Sequence, residues 1–225
     1  MVTVIAWVAS HTGLPSIYSS SAVRVSCGDR VLADGSGPVL VSDALAEPGV
    51  PTTYTVGSAS YTLTRATGSR SGGVLTDATG RGVAGLVAVD NGDPVEWKST
   101  ITRFSPRSWR WSLTDEPVSG QSQVTLVDPS LESEVWATLR RHSVLVVGPA
   151  RPTPGVPMRC VTVDSASRKR LGIAGMLSFD VSWTEAVGAT GAAPVVTWKE
   201  WASLGQGWQA KSAVQLAHDI AGMPS

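Results

Sequence analysis

TTYTVGSASYTLTRAT, residues 52–67, is the most regularly alternating stretch of the chain. On an extended strand Tyr54, Val56 and Ser58 share one face, and Thr53 and Thr55 share the other, because successive side chains point to opposite sides. The same reading extends outward. TVIAWVA (3–9) reads as a strand, although one apolar run does not exclude a buried helical turn. AVRVSC (22–27) places Val23 and Val25 on one face. VLADGSGPVLVSD (31–43) reads as two strands around an Asp-Gly turn, a hairpin signal. The 23 glycines and 14 prolines are spread along the chain, breaking it into short β-type runs. That pattern predicts a mainly β fold built as a sandwich or barrel.

Beyond residue 68, SRSGGVLTDATGRG (69–82) is polar and rich in glycine, and reads as a linker or long loop. It lacks the GxxxxGK[ST] pattern and does not open a helix, which argues against a phosphate-binding loop. A second β region is expected over 83–190. Its strand-like runs are VAGLVAVD (83–90), EWKSTITRFS (96–105), SWRWSLTD (108–115), QVTLVD (123–128), SVLVVG (143–148), RCVTVDSAS (159–167) and MLSFDVSWTEA (176–186).

One helix, 129–142, interrupts these strands. Asp128 is placed to cap it, Pro129 takes its first position, and Glu132 and Glu134 occupy the early turns. Arg140, Arg141 and His142 close it, so the charges complement the helix dipole. Leu131, Val135 and Leu139 form an apolar stripe flanked by Trp136, which is the pattern of a helix packed on a sheet.

Residues 191–225 are expected to form a short helical arm. In TWKEWASLGQGW (197–208), Thr197 and Glu200 have the spacing of a capping box. Trp198 and Trp201 then share one helical face, and Gly205 stops the helix. A second helix is expected through WQAKSAVQLAHDIAG, beginning at Trp208 and ending at Gly222, with Ala210, Ala213, Val214, Ala217 and Ile220 on one side. An arm this small cannot bury two indoles alone, so it is expected to dock on its own β domain or on a neighbouring protein.

Composition narrows the function classes. The 225 residues suffice for one large domain or two small ones. Lys+Arg and Asp+Glu both number 18, and this neutrality gives no electrostatic case for binding nucleic acid or anionic lipid. Only 16% of residues are charged, which suits a surface partly covered by other subunits. The N-terminal stretch lacks a basic n-region and is a poor signal peptide. No run of about 18 apolar residues is present, so no membrane insertion is expected.

No set of residues points to catalysis, a cofactor or a metal. Cys27 and Cys160 make no metal motif and read as small hydrophobes. His11, His142 and His218 lack ligand neighbours at useful spacing, and HExxH, CxxC and GxSxG are absent. Asp90, Asp93 and Glu96 in VDNGDPVE (89–96) read as a solvated Asn-Gly turn rather than a calcium loop. RFSPRSWRWS (103–112) interleaves Arg103, Arg107 and Arg110 with Phe104, Trp109 and Trp111. The two tryptophans, two residues apart, read as core or subunit contact in preference to a stacking platform for sugar or single-stranded nucleic acid.

EPGVPTTYTVGSASYTLT (47–64) resembles the late strands of a fibronectin type III or immunoglobulin-like sandwich. There a proline-rich turn precedes a strand whose tyrosine, here Tyr54, packs at the sandwich corner and reaches a backbone group with its hydroxyl. The order of segments over most of 45–210 resembles the minor tail proteins of siphophages that infect actinobacteria. The matching segments are GVPTTYTV (49–56), ESEVWATLRRHSVLVVGPA (132–150), PMRCVTVDSASRKRL and LSFDVSWTEAV within 157–187, and TWKEWASLGQGWQ (197–209). EWKSTITRFSPRSWRWSL (96–113) departs from that pattern.

The resemblance implies an immunoglobulin-like segment over 1–68, a tail-tube-like β domain over 83–190 and a structural role in the virion. The implied subunit is a distal tail or upper hub protein at the phage tail tip. It would form a ring of six copies or three beneath the tail tube, with DNA only passing through the lumen. Its partners would be the tube, tape-measure and hub proteins. Trp109, Trp111, Trp198, Trp201 and Trp208 are the expected docking residues, and Tyr54, Trp136, Thr197 and Glu200 the expected structural ones. The alternative from another class is a virion carbohydrate-binding module that uses exposed tryptophans.

Overall fold

The computed structural model describes residues 3–10, 12–35, 37–68, 72–88, 99–105, 108–113, 119–126, 128–141, 144–154, 156–170, 177–186 and 188–194. The fold is mainly β. Seven strands come first: β1 (Val4–Val8), β2 (Pro15–Ser19), β3 (Arg24–Cys27), β4 (Arg30–Asp34), β5 (Val39–Asp43), β6 (Pro51–Val56) and β7 (Ala59–Thr64). Next come β8 (Gly73–Asp77), β9 (Gly82–Ala88), β10 (Ser99–Ser105), β11 (Ser108–Leu113) and β12 (Ser119–Leu126). A 3-10 turn (Pro129–Leu131) leads into α1 (Glu132–Leu139). The strands β13 (Leu145–Pro149), β14 (Arg159–Arg170), β15 (Leu177–Glu185) and β16 (Ala192–Pro194) complete the order.

The 52–67 stretch is a hairpin. β6 and β7 pair antiparallel from Pro51↔Thr64 to Val56↔Ala59, and the chain reverses at Gly57, whose φ of 60° favours glycine. Tyr54 and Val56 are buried while Thr53 and Thr55 are exposed, as the alternation requires. Ser58, expected to continue the face of Tyr54, lies instead in the turn. This hairpin belongs to a four-stranded sheet of order β4-β3-β6-β7.

The second sheet has the order β1-β2-β5-β16. Its inner side, with Ile17, Val39 and Val41, packs on Val25, Leu32, Tyr54 and Val56 of the first sheet. Two expectations change here. Residues 31–43 do not form a hairpin: β4 pairs with β3 and β5 pairs with β2, so residues 35–38 carry the chain from one sheet to the other. An Asp-Gly pair marks a reversal, but it does not say which sheet each flank joins. The other change lies at the far end, where residues 192–194 begin the region expected to be a helical arm. They form β16 and pair with β5 from Ala192↔Asp43 to Pro194↔Val41. The eighth strand of the sandwich therefore comes from the far end of the described chain.

Residues 73–77 and 82 of the expected linker lie in strands. Gly73–Asp77 is β8, and Gly82 opens β9. The glycine-rich composition reflects a tight turn: the Asp77 carboxylate accepts from the backbone N–H groups of Thr79 (3.0 Å) and Arg81 (3.1 Å), and Gly80 has φ 81°. β8 and β9 enter a closed antiparallel barrel of order β12-β15-β14-β13-β8-β9, in which β9 also pairs with β12. Closure removes the edges that an open sheet would expose. The second β region thus starts at residue 73 and takes the barrel form of the mainly β fold expected from sequence.

Leu126, Leu145, Val161 and Phe179 fill the barrel core. Val135 and Leu139 of α1 join the same core. The expected 129–142 helix divides into the 3-10 turn and α1. Asp128 caps the 3-10 turn by accepting from Ser130 N–H at 3.0 Å, and Pro129 lies at its start as predicted. Arg140 already sits at the C-cap. The helix is tied across the barrel end by ion pairs of Glu132 with Arg168 and of Arg141 with Asp77.

Barrel and sandwich meet on a shared apolar seam. Leu14 and Ala44 of the sandwich pack with Val146 and Cys160 of the barrel, flanked by Leu45, Met158 and Ala186. Gly68 N–H donates to the Ala150 carbonyl at 3.1 Å, stitching the connection between them.

Candidate functional site

A buried polar cluster lies beside this seam, centred on Asp43. Alternation along β5 turns Asp43 to the same side as Val39 and Val41, into the sandwich, and a carboxylate there must be paired. Arg30, at the start of β4 on the facing sheet, meets it with both terminal nitrogens, at 3.0 Å to Oδ1 and 2.8 Å to Oδ2. Two parallel charge-assisted bonds fix both position and orientation. Leu45 N–H donates to Oδ1 at 3.0 Å, and the Tyr54 hydroxyl donates to Oδ2 at 3.1 Å. Arg30 also donates to the Thr190 carbonyl at 3.0 Å, reaching the segment that enters β16.

Arg65 lies close by and is buried. It donates to the carbonyls of Ala44 (2.7 Å) and Ala46 (3.1 Å), satisfying two backbone acceptors of the loop after β5. Burial pushes the Arg65 pKa down from its ordinary value, against the opposing pull of Asp43. Burial acts on Arg30 in the same direction, yet the hydrogen bonds and charge of Asp43 outweigh it and hold Arg30 above its ordinary value. The Tyr54 hydroxyl is pushed far up, first by burial and then by the negative charge of Asp43.

Each oxygen of Asp43 therefore receives two donors. A carboxylate so occupied has no lone pair left for a substrate proton. The arrangement joins the two sheets and the returning C-terminal segment. It works as a staple, and does not resemble an acid–base pair. Among the described residues no group of three or more His, Cys, Asp or Glu side chains is placed to hold a metal ion.

The fold scatters the residues singled out from sequence. Tyr54 is fully buried, but its hydroxyl reaches the Asp43 carboxylate where a backbone group was expected. Trp136, on α1, meets Phe179 edge-on with centroids 5.3 Å apart, and Arg140 lies over its ring at 4.9 Å. Trp109 and Trp111 lie on β11, opposite Arg103 and Ile101 of β10. Thr197, Trp198, Glu200, Trp201 and Trp208 lie outside the described residues, as do His11, His142, His218 and the acids of 89–96. Cys160 is buried in the seam, which raises its thiol pKa, and Cys27 is half-buried on β3. Sequence reading did not single out Arg30, Asp43 and Arg65. A signal existed: Arg30 alternates with Leu32, and Asp43 with Val41, so opposite charges sit at inward positions of facing strands.

The hairpin β10–β11 stands apart from the other sheets. It lies between β9 and β12, which pair directly with each other, so the barrel closes without it. Its strands pair only with one another among the described residues.

No protein-family model matches the chain, and no curated protein is similar to it.

Proposed function

We propose that this chain is a structural, non-enzymatic subunit of a phage tail tip, a distal tail or upper hub protein. Copies associate as a closed ring beneath the tail tube and dock neighbouring tail proteins. The segment order along the sequence supplies the resemblance. The observation that carries the reading is the β10–β11 hairpin, which enters the chain between β9 and β12 and whose strands pair with no third strand among the described residues. Such a hairpin is suited to adding strands to a neighbouring subunit, which satisfies its backbone groups and closes a ring. The rest of the fold suits a rigid structural part: a filled barrel, a sandwich fixed to it by an apolar seam, and an Asp43 carboxylate whose two oxygens each accept two hydrogen bonds. No helix among the described residues is long and apolar enough to cross a membrane.

Light scattering of the purified chain tests this reading. A ring, or an oligomer that grows with concentration, is expected. A monomer that binds host cell-wall polysaccharide, and loses that binding on Trp109→Ala with Trp111→Ala, would replace it with the carbohydrate-binding alternative.

A further inference from the structure

The two flanks of the sandwich are unevenly protected. β4 lies beside β16 on one flank, and β1 lies beside β7 on the other. An edge strand offers backbone groups to any other strand, and stable folds blunt it with charges, proline, a bulge or brevity. The β4/β16 flank carries all of these. β4 ends on Asp34 and turns Arg30 inward onto Asp43, and its pairing with β3 shifts register between Val25 and Ser26. β16 is three residues long and ends on Pro194. The β1/β7 flank carries none of them. β1 reads VIAWV and β7 reads ASYTLT, without a charge or a proline, and each pairs with its neighbour in unbroken register. Among the described residues β7 pairs with β6 alone.

The register fixes which groups β7 offers. Val56 and Ala59 flank a two-residue turn, so Val56–Ala59, Tyr54–Tyr61 and Thr52–Leu63 are the hydrogen-bonded pairs of the hairpin. Pro51, which has no N–H, falls opposite Thr64 at a position of the other kind, in agreement with that phase. The backbone N–H and C=O groups of Ser60, Thr62 and Thr64 therefore point away from β6. The side chains of these three residues stand on the exposed face, with Thr53 and Thr55. Tyr61 and Leu63 alternate with them and lie half-buried against the sandwich core.

We infer that β7 is a contact between two copies of this chain, paired antiparallel with its own copy about a two-fold axis at Thr62. This register sets Thr62 opposite Thr62 of the partner subunit, and Ser60 opposite Thr64 of the partner subunit. Every outward N–H and C=O of one strand then meets its complement. On the inner side Tyr61 falls opposite Leu63 of the partner subunit, an aromatic–aliphatic pair that extends the half-buried end of the core. Neither strand carries a charge to oppose the pairing. An isologous contact uses both edges at once, so it closes at two copies and does not run on as a fibre. The apolar edge of β1, beside β7, comes to the same interface. This inference does not depend on the tail-tip reading.

A cysteine added to the full chain tests it. Across the two-fold axis the Cα atoms of position 62 stand about 5.5 Å apart, within reach of a disulfide. Thr55 shares the exposed face but lies on β6, one strand further from the axis on each side. With oxidised glutathione, Thr62→Cys should give at least about tenfold more disulfide-linked dimer than Thr55→Cys, joined 62 to 62 in the digested peptides. The native Cys27 and Cys160 are present in both variants, so their background is common to the two. Comparable linkage at the two positions, or none at position 62, overturns the inference. Sedimentation equilibrium of Thr62→Lys gives a second readout. Two lysines facing each other at the axis should weaken the monomer–dimer step at least about tenfold. A monomer–dimer step unchanged by Thr62→Lys would equally overturn it.

Discussion

Trp183 lies flat against Gly120, its direct cross-strand partner in the barrel. A Cβ on Gly120 would stand 2.5 Å from the indole Cζ2, so glycine is what lets the ring lie down on β12. Trp183 Nε1 donates to the Ser122 hydroxyl at 2.9 Å, and the Arg159 guanidinium sits 5.9 Å from the ring centroid. Gly120→Ala should displace the indole and destabilise the barrel by about 2 kcal/mol, the usual cost of overpacking. Urea denaturation followed by tryptophan fluorescence measures it. Stability within about 0.5 kcal/mol of the parent would show that the ring moves freely.

The Asp43 cluster makes a graded prediction. Asp43→Ala leaves Arg30 without its carboxylate and should cost about 3 kcal/mol, the low end for a broken buried pair because Arg30 is about one-third exposed. Tyr54→Phe removes one neutral donor and should cost about 1 kcal/mol. Equal losses from the two substitutions would contradict the assignment of Asp43 as the centre.

Tyr54 also sets a pH dependence. Its folded pKa is raised above the unfolded value of 10.0, so the folded state holds the hydroxyl proton after an unfolded chain has released it. Below about pH 10 the hydroxyl is protonated in both states and its contribution is intact. As pH rises past that value, the unfolded state binds fewer protons and stability falls. Denaturation between about pH 9 and about pH 11 should show a steeper loss for the parent than for Tyr54→Phe. Parallel slopes would contradict it.

These elements differ in how far they could be read beforehand. The β6–β7 hairpin was legible as strand because one face of β6 is buried and the other is threonine, so period-two alternation survives. Pro129, the acids of the first turn and the Val135/Leu139 stripe marked the helix, because capping and amphipathicity are local. Sheet membership is not local. Nothing in DGSGP says that β4 and β5 part company, and nothing in GAAP says that Ala192–Pro194 returns to pair with β5. β8 was missed because glycine and a polar turn flank its short Val74–Leu75 core. The Asp43–Arg30 pair needed two facing strands to be placed first, although each charge sat in phase with buried residues of its own strand.

The barrel closes through the β9–β12 pairing, so the intervening hairpin should be dispensable for folding. Replacing residues 91–116 by a short Gly-Ser linker should leave the thermal transition of the barrel within a few degrees of the parent, since β9 and β12 keep their pairing. The same excision should abolish higher-order assembly. Loss of the folded transition would show the hairpin to be part of the barrel's own stability.

The central claim is that this chain builds a ring. The most direct measurement is single-particle electron imaging of the purified 225-residue chain over a range of concentrations, beside the hairpin-excised form. The account predicts closed rings with an open lumen for the full chain and isolated particles for the excised form. Isolated particles for both, at every concentration, would contradict it.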